Sequence, residues 1–227
     1  MSLKIKLAVF DLDGVLVEEK SSWEYLHRFF GTYELAAKAN YARAFELGLI
    51  SYSDWMRLDL ELMIGSRGTI YCWEVDKAFS EVPIAAGAGE VIEYLRNRGV
   101  GVAIVSAGIE RLASRIAHAL GVDEVYANKL LCDASGRLLP YGVEVVDPLR
   151  KNVVIENIAK KLGVSLADTM YVGDSEWDCS ALDIVGFPVV VGSRAIKCGR
   201  AGSQIPMVYV SNMLELAALL KESPGLF

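Results

Sequence analysis

Four polar groups stand out in an otherwise apolar chain: Asp11-Leu12-Asp13-Gly14, Ser106-Ala107-Gly108, Arg150-Lys151 and Gly173-Asp174-Ser175-Glu176-Trp177-Asp178. Together they offer several carboxylates, a small hydroxyl flanked by backbone amides, and an ammonium. Carboxylates gathered beside a lysine suit a hard divalent cation such as Mg2+, which prefers oxygen ligands and keeps room for substrate phosphate. The serine, the amides and the lysine suit phosphate oxygens. Each group alone is a common loop or turn, and Asp-Gly after an apolar run is an ordinary turn signal. Their order along the chain, and their placement where strands end, carry the signal.

The elements that must hold these groups follow from the hydropathy pattern. Apolar runs at Leu7 to Phe10, Val100 to Val105, Met170 to Val172, Val189 to Val191 and Met207 to Val210 read as strands buried on both faces. Helical patterns alternate with them: Ala88 to Arg98 before Gly99, Arg111 to Leu120 before Gly121, and Lys151 to Leu162 before Gly163. That alternation predicts an α/β fold, a Rossmann-like parallel sheet whose ligand site lies at the carboxyl ends of the strands. All four polar groups then meet on one rim.

One stretch breaks the alternation. From Ser21 to Phe79 the chain reads as successive helices (SSWEYLHRFF, YELAAKANYARAFELG, SYSDWMRLDLELM and WEVDKAF), with Ser51 and Ser53 as N-cap candidates and Gly48 as a stop. This is far longer than a crossover requires and predicts an inserted helical cap. The expected division is a core of residues 1–16 and 84–227 and a cap of residues 17–83, with hinges at Gly14 to Lys20 and Pro83 to Gly89. The DASGRL segment within Asn128 to Val146 predicts a hairpin turn.

Composition narrows the classes. The 227 residues are 53% hydrophobic, enough for a large core, and the net charge of -6 argues against a nucleic-acid or membrane-surface partner. No run of about 18 apolar residues predicts a membrane span, and Asp11 interrupts the only leader-like segment. Cys72, Cys132, Cys179 and Cys198 are far apart and form no Cys-x-x-Cys, which suggests neither zinc nor a dense disulfide framework and predicts a reducing, cytoplasmic setting. Nothing in the pattern specifies an oligomeric state. His27 and His118 read as solvated or packed helix residues.

The set Asp11-x-Asp13-Gly-Val-Leu, Ser106, Lys151 and Gly173-Asp174-x-x-x-Asp178 resembles the four motifs of the haloacid dehalogenase superfamily, and the insertion matches its cap. VSAG, the ANKLLCDASGRL hairpin and the Lys151–Asp174 spacing are similar to the phosphoserine phosphatase-like subgroup. The resemblance implies a Mg2+-dependent phosphomonoester hydrolase acting on a small phosphorylated metabolite through an aspartyl phosphate. Asp11 would be the nucleophile and Asp13 the general acid and base. Ser106, Ala107 and Lys151 would bind the phosphoryl group. Asp11, Asp174 and the backbone carbonyl of Asp13 would ligate Mg2+, with Asp178 orienting the site. Asp13 argues against dehalogenation, because halide departure needs no general acid.

The chain departs from the subgroup where substrate is read. Lys20 stands where a cap glutamate is expected, and Asp59 where a cap arginine is expected. Glu18, Glu19 and Arg57 lie nearby as substitutes. Trp177 replaces an asparagine and reads as a core-packing or site-wall residue, and Trp23, Tyr25 and Trp55 as cap filling or lining. Phosphoserine is the first candidate substrate. The alternatives are a non-catalytic, regulatory phosphate-binding module, and a phosphomutase or phosphotransferase on the same scaffold.

Overall fold

A computed structural model describes residues 4–192, 196–199, 206–223 and 225. Strand β1 (Leu7–Phe10) is fully buried and lies at the centre of a seven-stranded sheet. Around it stand β2 (Gly101–Ile109), β3 (Glu124–Cys132), β4 (Leu138–Val143), β5 (Thr169–Gly173), β6 (Phe187–Val191) and β7 (Val208–Val210), in the order β4-β3-β2-β1-β5-β6-β7. Every pairing is parallel except β3 with β4. Register brings Phe10 beside both Ile104 and Val172, so the three chain segments that follow leave the sheet at one rim.

Strand alternation sorts the core into two apolar clusters. Ala8 and Phe10 face α6 (Ala88–Arg96), α7 (Glu110–Leu120) and α10 (Met213–Glu222), whereas Leu7 and Val9 face α8 (Lys151–Leu162) and α9 (Cys179–Leu182). Each fully buried Leu or Phe contributes roughly 1.5–3 kcal/mol. Gly121 closes α7 in the left-handed conformation, φ 69°, where a Cβ would be strained. The helix before β2 ends at Arg96, two residues short of the expected boundary, because the turn through Gly99 (φ 74°) takes up Asn97 and Arg98.

The cap helices are α1 (Ser22–Phe29), α2 (Tyr33–Ala39), α3 (Tyr41–Glu46), α4 (Tyr52–Arg67) and α5 (Cys72–Ser80). Val17 and Ile84 form an antiparallel bridge where the chain leaves and re-enters the sheet layer. The stretch expected as one helix through YELAAKANYARAFELG is two, broken at Asn40 (φ 50°), whose short polar side chain tolerates the left-handed region. Ser51 caps α4 in a reciprocal capping box with Asp54. Ser53 is not a cap; its hydroxyl donates to Glu144 Oε2 at 2.6 Å.

Two findings correct the sequence reading. First, β3 is both a parallel strand of the sheet and an arm of the hairpin, and the hairpin reaches the cap: Cys72 N–H donates to Gly136 O at 2.9 Å and Leu138 N–H to Ile70 O at 2.8 Å. Second, all four cysteines are paired. Cys72–Cys132 joins α5 to the end of β3 across 60 residues, and Cys179–Cys198 joins the start of α9 to the chain beyond β6 across 19. Linear spacing says nothing about such pairs, because the sheet order brings together segments that are remote in sequence.

In the chain-entropy account, closing these loops contributes about 4 and about 3 kcal/mol. Reduction should therefore lower the thermal unfolding midpoint in calorimetry. A C72S/C132S variant should start from a lower midpoint and respond less to reductant than the wild type.

Candidate active site

The carboxyl ends of β1, β2 and β5 and the start of α8 meet beneath the cap in a cleft of about 380 Å3. Asp11, Asp13, Lys20, Ser106, Ala107, Lys151 and Asp174 line it together. At its floor Lys151 is only 2% exposed, and its ammonium donates to Asp11 Oδ2 at 2.7 Å and Asp178 Oδ1 at 2.6 Å. Asp11 Oδ1 accepts the Leu12 N–H at 2.7 Å. Lys151 reaches this depth because it opens α8, so its side chain runs under the strand ends.

Asp178 lies behind the cleft with no exposure. Its Oδ1 also accepts from Tyr171 OH at 2.7 Å, and its Oδ2 accepts the Asp174 and Ser175 amides at 2.9 and 3.1 Å. With every lone pair engaged, it holds the β5 turn and the lysine rather than a ligand. Burial works against its ionisation, but the Lys151 ammonium and the hydrogen bonds from Lys151 and Tyr171 hold it below the ordinary carboxylate range. Burial pushes the Asp11 carboxyl up to about 8, against the pull of Lys151, so a divalent cation beside it would be what keeps it ionised at neutral pH.

Asp13 is fixed from one side only. Its Oδ2 accepts the Ser22 N–H at 2.9 Å and the Ser22 hydroxyl at 2.8 Å, while its buried Oδ1 has no partner. Burial pushes its carboxyl up to about 6, opposed by the Ser22 hydrogen bonds. Ser22 Oγ also accepts the Ile109 N–H at 3.1 Å, so the first turn of α1 positions both an acid and the end of β2. Ser106 Oγ accepts the Gly108 N–H at 3.1 Å. A Cβ at Gly108 would fall 2.6 Å from both Asp13 Oδ2 and Ser22 Oγ, so only glycine permits this approach.

The carbonyl of Ala107 collects Trp23 Nε1 at 3.4 Å, Tyr52 OH at 2.5 Å and Asn128 Nδ2 at 2.8 Å. Asn128 Oδ1 accepts the Val145 and Val146 amides at 2.7 and 2.9 Å, tying the end of β2 to the segment that leads to Lys151.

Acidic oxygens of Asp11, Asp174 and Asp178 lie within 4.8 Å of one another. Asp11, Asp13, Asp174 and Asp178 are faced by two ammoniums, those of Lys151 and of Lys20, which donates to Asp174 Oδ2 at 2.7 Å. Burial raises Asp174 as well, with Lys20 opposing. The neighbouring carboxylates of Asp11 and Asp174, hard oxygen donors in a centre where carboxylates outnumber ammoniums among the described residues, fit a divalent cation.

The other specificity candidates are elsewhere. Glu18 is exposed, Glu19 pairs with Arg28, and Arg57 pairs with Glu61 and Asp54 on the outer face of α4; none lines the cleft. Asp59 and His27 do line it, both buried, as do Trp23 and Trp55. His27 is therefore packed and His118 exposed. Tyr25 packs on Phe79 outside the cleft. Trp177 is a wall of the cleft and stacks on Phe45 at 6.2 Å. Sequence reasoning missed Ser22, Asn128 and Tyr171. Asn128 and Tyr171 could have been noticed as polar groups inside apolar strands, whereas Ser22 looks like any residue at a helix start.

Fold and cleft define an α/β enzyme with a carboxylate–lysine centre under an inserted cap. The sequence matches the haloacid dehalogenase-like hydrolases over residues 5–186, and the chain belongs to that family. It is 31% identical over 196 residues to a phosphoserine phosphatase of Methanocaldococcus jannaschii, covering 86% of this chain and 90% of that one. Among solved structures it is similar to a phospho-aspartyl intermediate analogue of phosphoserine phosphatase, with TM-score 0.74, 28% identity, and 96% and 99% of the two chains covered. It is likewise similar to a substrate-bound phosphoserine phosphatase complex, with TM-score 0.76, 28% identity, and 96% and 98% covered. The chain is a phosphomonoester hydrolase of this family.

Two substitutions test the geometry. Gly108→Ala should lower kcat for a phosphomonoester by about 100-fold, the cost of moving a reacting group by roughly 1 Å, with an unchanged circular dichroism spectrum. Lys151→Met leaves Asp11 and Asp178 buried without their cation and should cost about 3–5 kcal/mol in denaturant unfolding.

Proposed function

We propose that the reaction is hydrolysis of a small phosphorylated metabolite through a phosphoryl group carried on Asp11. The observation that carries this reading is the pairing of Asp11, oriented by Lys151 and the Leu12 amide, with Asp13, whose outer oxygen is buried and unsatisfied. An Asp11 oxygen attacks phosphorus as the bond to the leaving oxygen breaks, and Asp13 gives that oxygen its proton. A carboxyl pushed up to about 6 retains a protonated fraction near neutral pH, which this step uses. Asp13 then takes a proton from the water that attacks the aspartyl phosphate, releasing inorganic phosphate and restoring Asp11.

Ser106, the Ala107 amide and Lys151 bind the phosphoryl oxygens and stabilise charge as it spreads. Asp11, Asp174 and the Asp13 carbonyl would hold Mg2+, which would supply charge neutralisation at the phosphoryl group; Asp178 keeps Lys151 and the β5 turn in place. Residues 17–83 act as the cap over a core of 1–16 and 84–227, a division supported by the Val17–Ile84 bridge. The relatives' names make phosphoserine the first ester to test. Among the described residues no helix is long and apolar enough to cross a membrane. The reading of a cytoplasmic setting rests on the small-metabolite substrate alone, and the two disulfides weigh against it.

Turnover of a phosphate-ester panel with Mg2+ should disappear with EDTA and with Asp11→Asn. Acid quenching during turnover of a 32P-labelled ester should trap hydroxylamine-labile label on the wild type and none on Asp11→Asn. Failure of the folded, Mg2+-loaded protein to turn over any ester would overturn the reading.

A further inference from the structure

The cleft extends past the phosphoryl site to a second polar group. Asp59, on α4, lines it and is only 4% exposed. Its one close charged neighbour is His27, whose Nε2 faces Asp59 Oδ1 at 3.2 Å without the alignment of a hydrogen bond. The other ring nitrogen, Nδ1, is 2.7 Å from Thr32 Oγ1. Among the described residues the His27 ring is the only group paired with Asp59, at 3.2 Å and off the hydrogen-bond line, so the carboxylate keeps acceptor capacity for a ligand that enters the cleft.

The rest of the lining says what would enter. Among the described residues its two ammoniums, Lys20 and Lys151, are held on Asp174 and on Asp11 and Asp178 at the phosphoryl end, and no arginine lines the cleft. Trp23, Tyr52, Trp55 and Trp177 supply aromatic walls, with Trp55 and Tyr52 edge to face at 5.6 Å. A carboxylate set among aromatic faces attracts a cation through both charge and ring quadrupole. A leaving group bearing a carboxylate would meet Asp59 with no guanidinium to receive it.

Resting on the phosphatase reading above, we propose that Asp59 is a specificity residue that binds the ammonium of the leaving alcohol. The favoured substrates are phosphomonoesters of amino alcohols that lack a carboxylate. The test compares kcat/KM for 2-aminoethyl phosphate, O-phosphoserine and ethyl phosphate with Mg2+-loaded wild type and Asp59→Asn. The wild type should prefer 2-aminoethyl phosphate over each of the others by at least about tenfold, the scale of one desolvated cation–π or charge contact. In Asp59→Asn that preference should collapse, chiefly through a higher KM for the amine ester.

Turnover of all three at similar rates by the wild type, or a preference for O-phosphoserine, overturns this assignment and leaves the phosphatase reading standing. A loss in Asp59→Asn that is equal for all three esters also overturns it, by assigning Asp59 to cap structure. Absence of any turnover overturns both readings. If the variant does not fold, the wild-type ranking decides alone.

Discussion

The rest of the site depends on one buried ammonium. Lys151 sits between Asp11 and Asp178 at the junction of β1, α8 and the turn after β5, almost wholly out of water. A lone lysine at that depth would lose its proton or pull the fold open, but two carboxylates within hydrogen-bond distance raise its proton affinity above the ordinary lysine value despite burial. Asp178 brings Tyr171 and two backbone amides to the same point, so the lysine is braced by the strand it serves. The cost is a centre with more carboxylates than cations, which is the electrostatic condition for receiving a metal ion and a phosphoryl group.

A second constraint works through the Ala107 carbonyl. Two of its donors, Trp23 and Tyr52, belong to the cap, and the third, Asn128, belongs to the sheet. The cap therefore hydrogen-bonds directly to the stretch of β2 that carries Ser106. Further from the cleft, the β3–β4 hairpin clasps the cap through backbone bonds, Ser53 to Glu144, and the Cys72–Cys132 disulfide. The position of the cap and the geometry at the end of β2 are thus coupled by short polar contacts as well as by the shared apolar cluster.

The two ends of the cleft follow different logics. At the phosphoryl end, polar groups are nearly all satisfied and rigidly placed, the condition for electrostatic stabilisation without reorganisation. At the leaving-group end, Asp59 and His27 face each other imperfectly among aromatic rings.

The sequence alone determined the β1, β2, β5, β6 and β7 strands, the existence of the cap, and the meeting on one rim of Asp11, Asp13, Ser106 and Asp174 with Lys151 at a helix start. These are read from local signals: apolar runs, glycine stops, and polar residues where a run ends. Tertiary structure alone decided what depends on segments remote in sequence. Ser22 holds Asp13 because α1 docks on the end of β2, and Asn128 holds Ala107 because β3 pairs with β2. The cysteines pair because the hairpin meets α5 and the chain beyond β6 meets α9. Asp59 and Lys20 were visible as departures from an expected pattern, but that both line the cleft depends on how the cap folds over the sheet. That arrangement arises from burial of the shared apolar cluster, a collective property that no short stretch of sequence encodes.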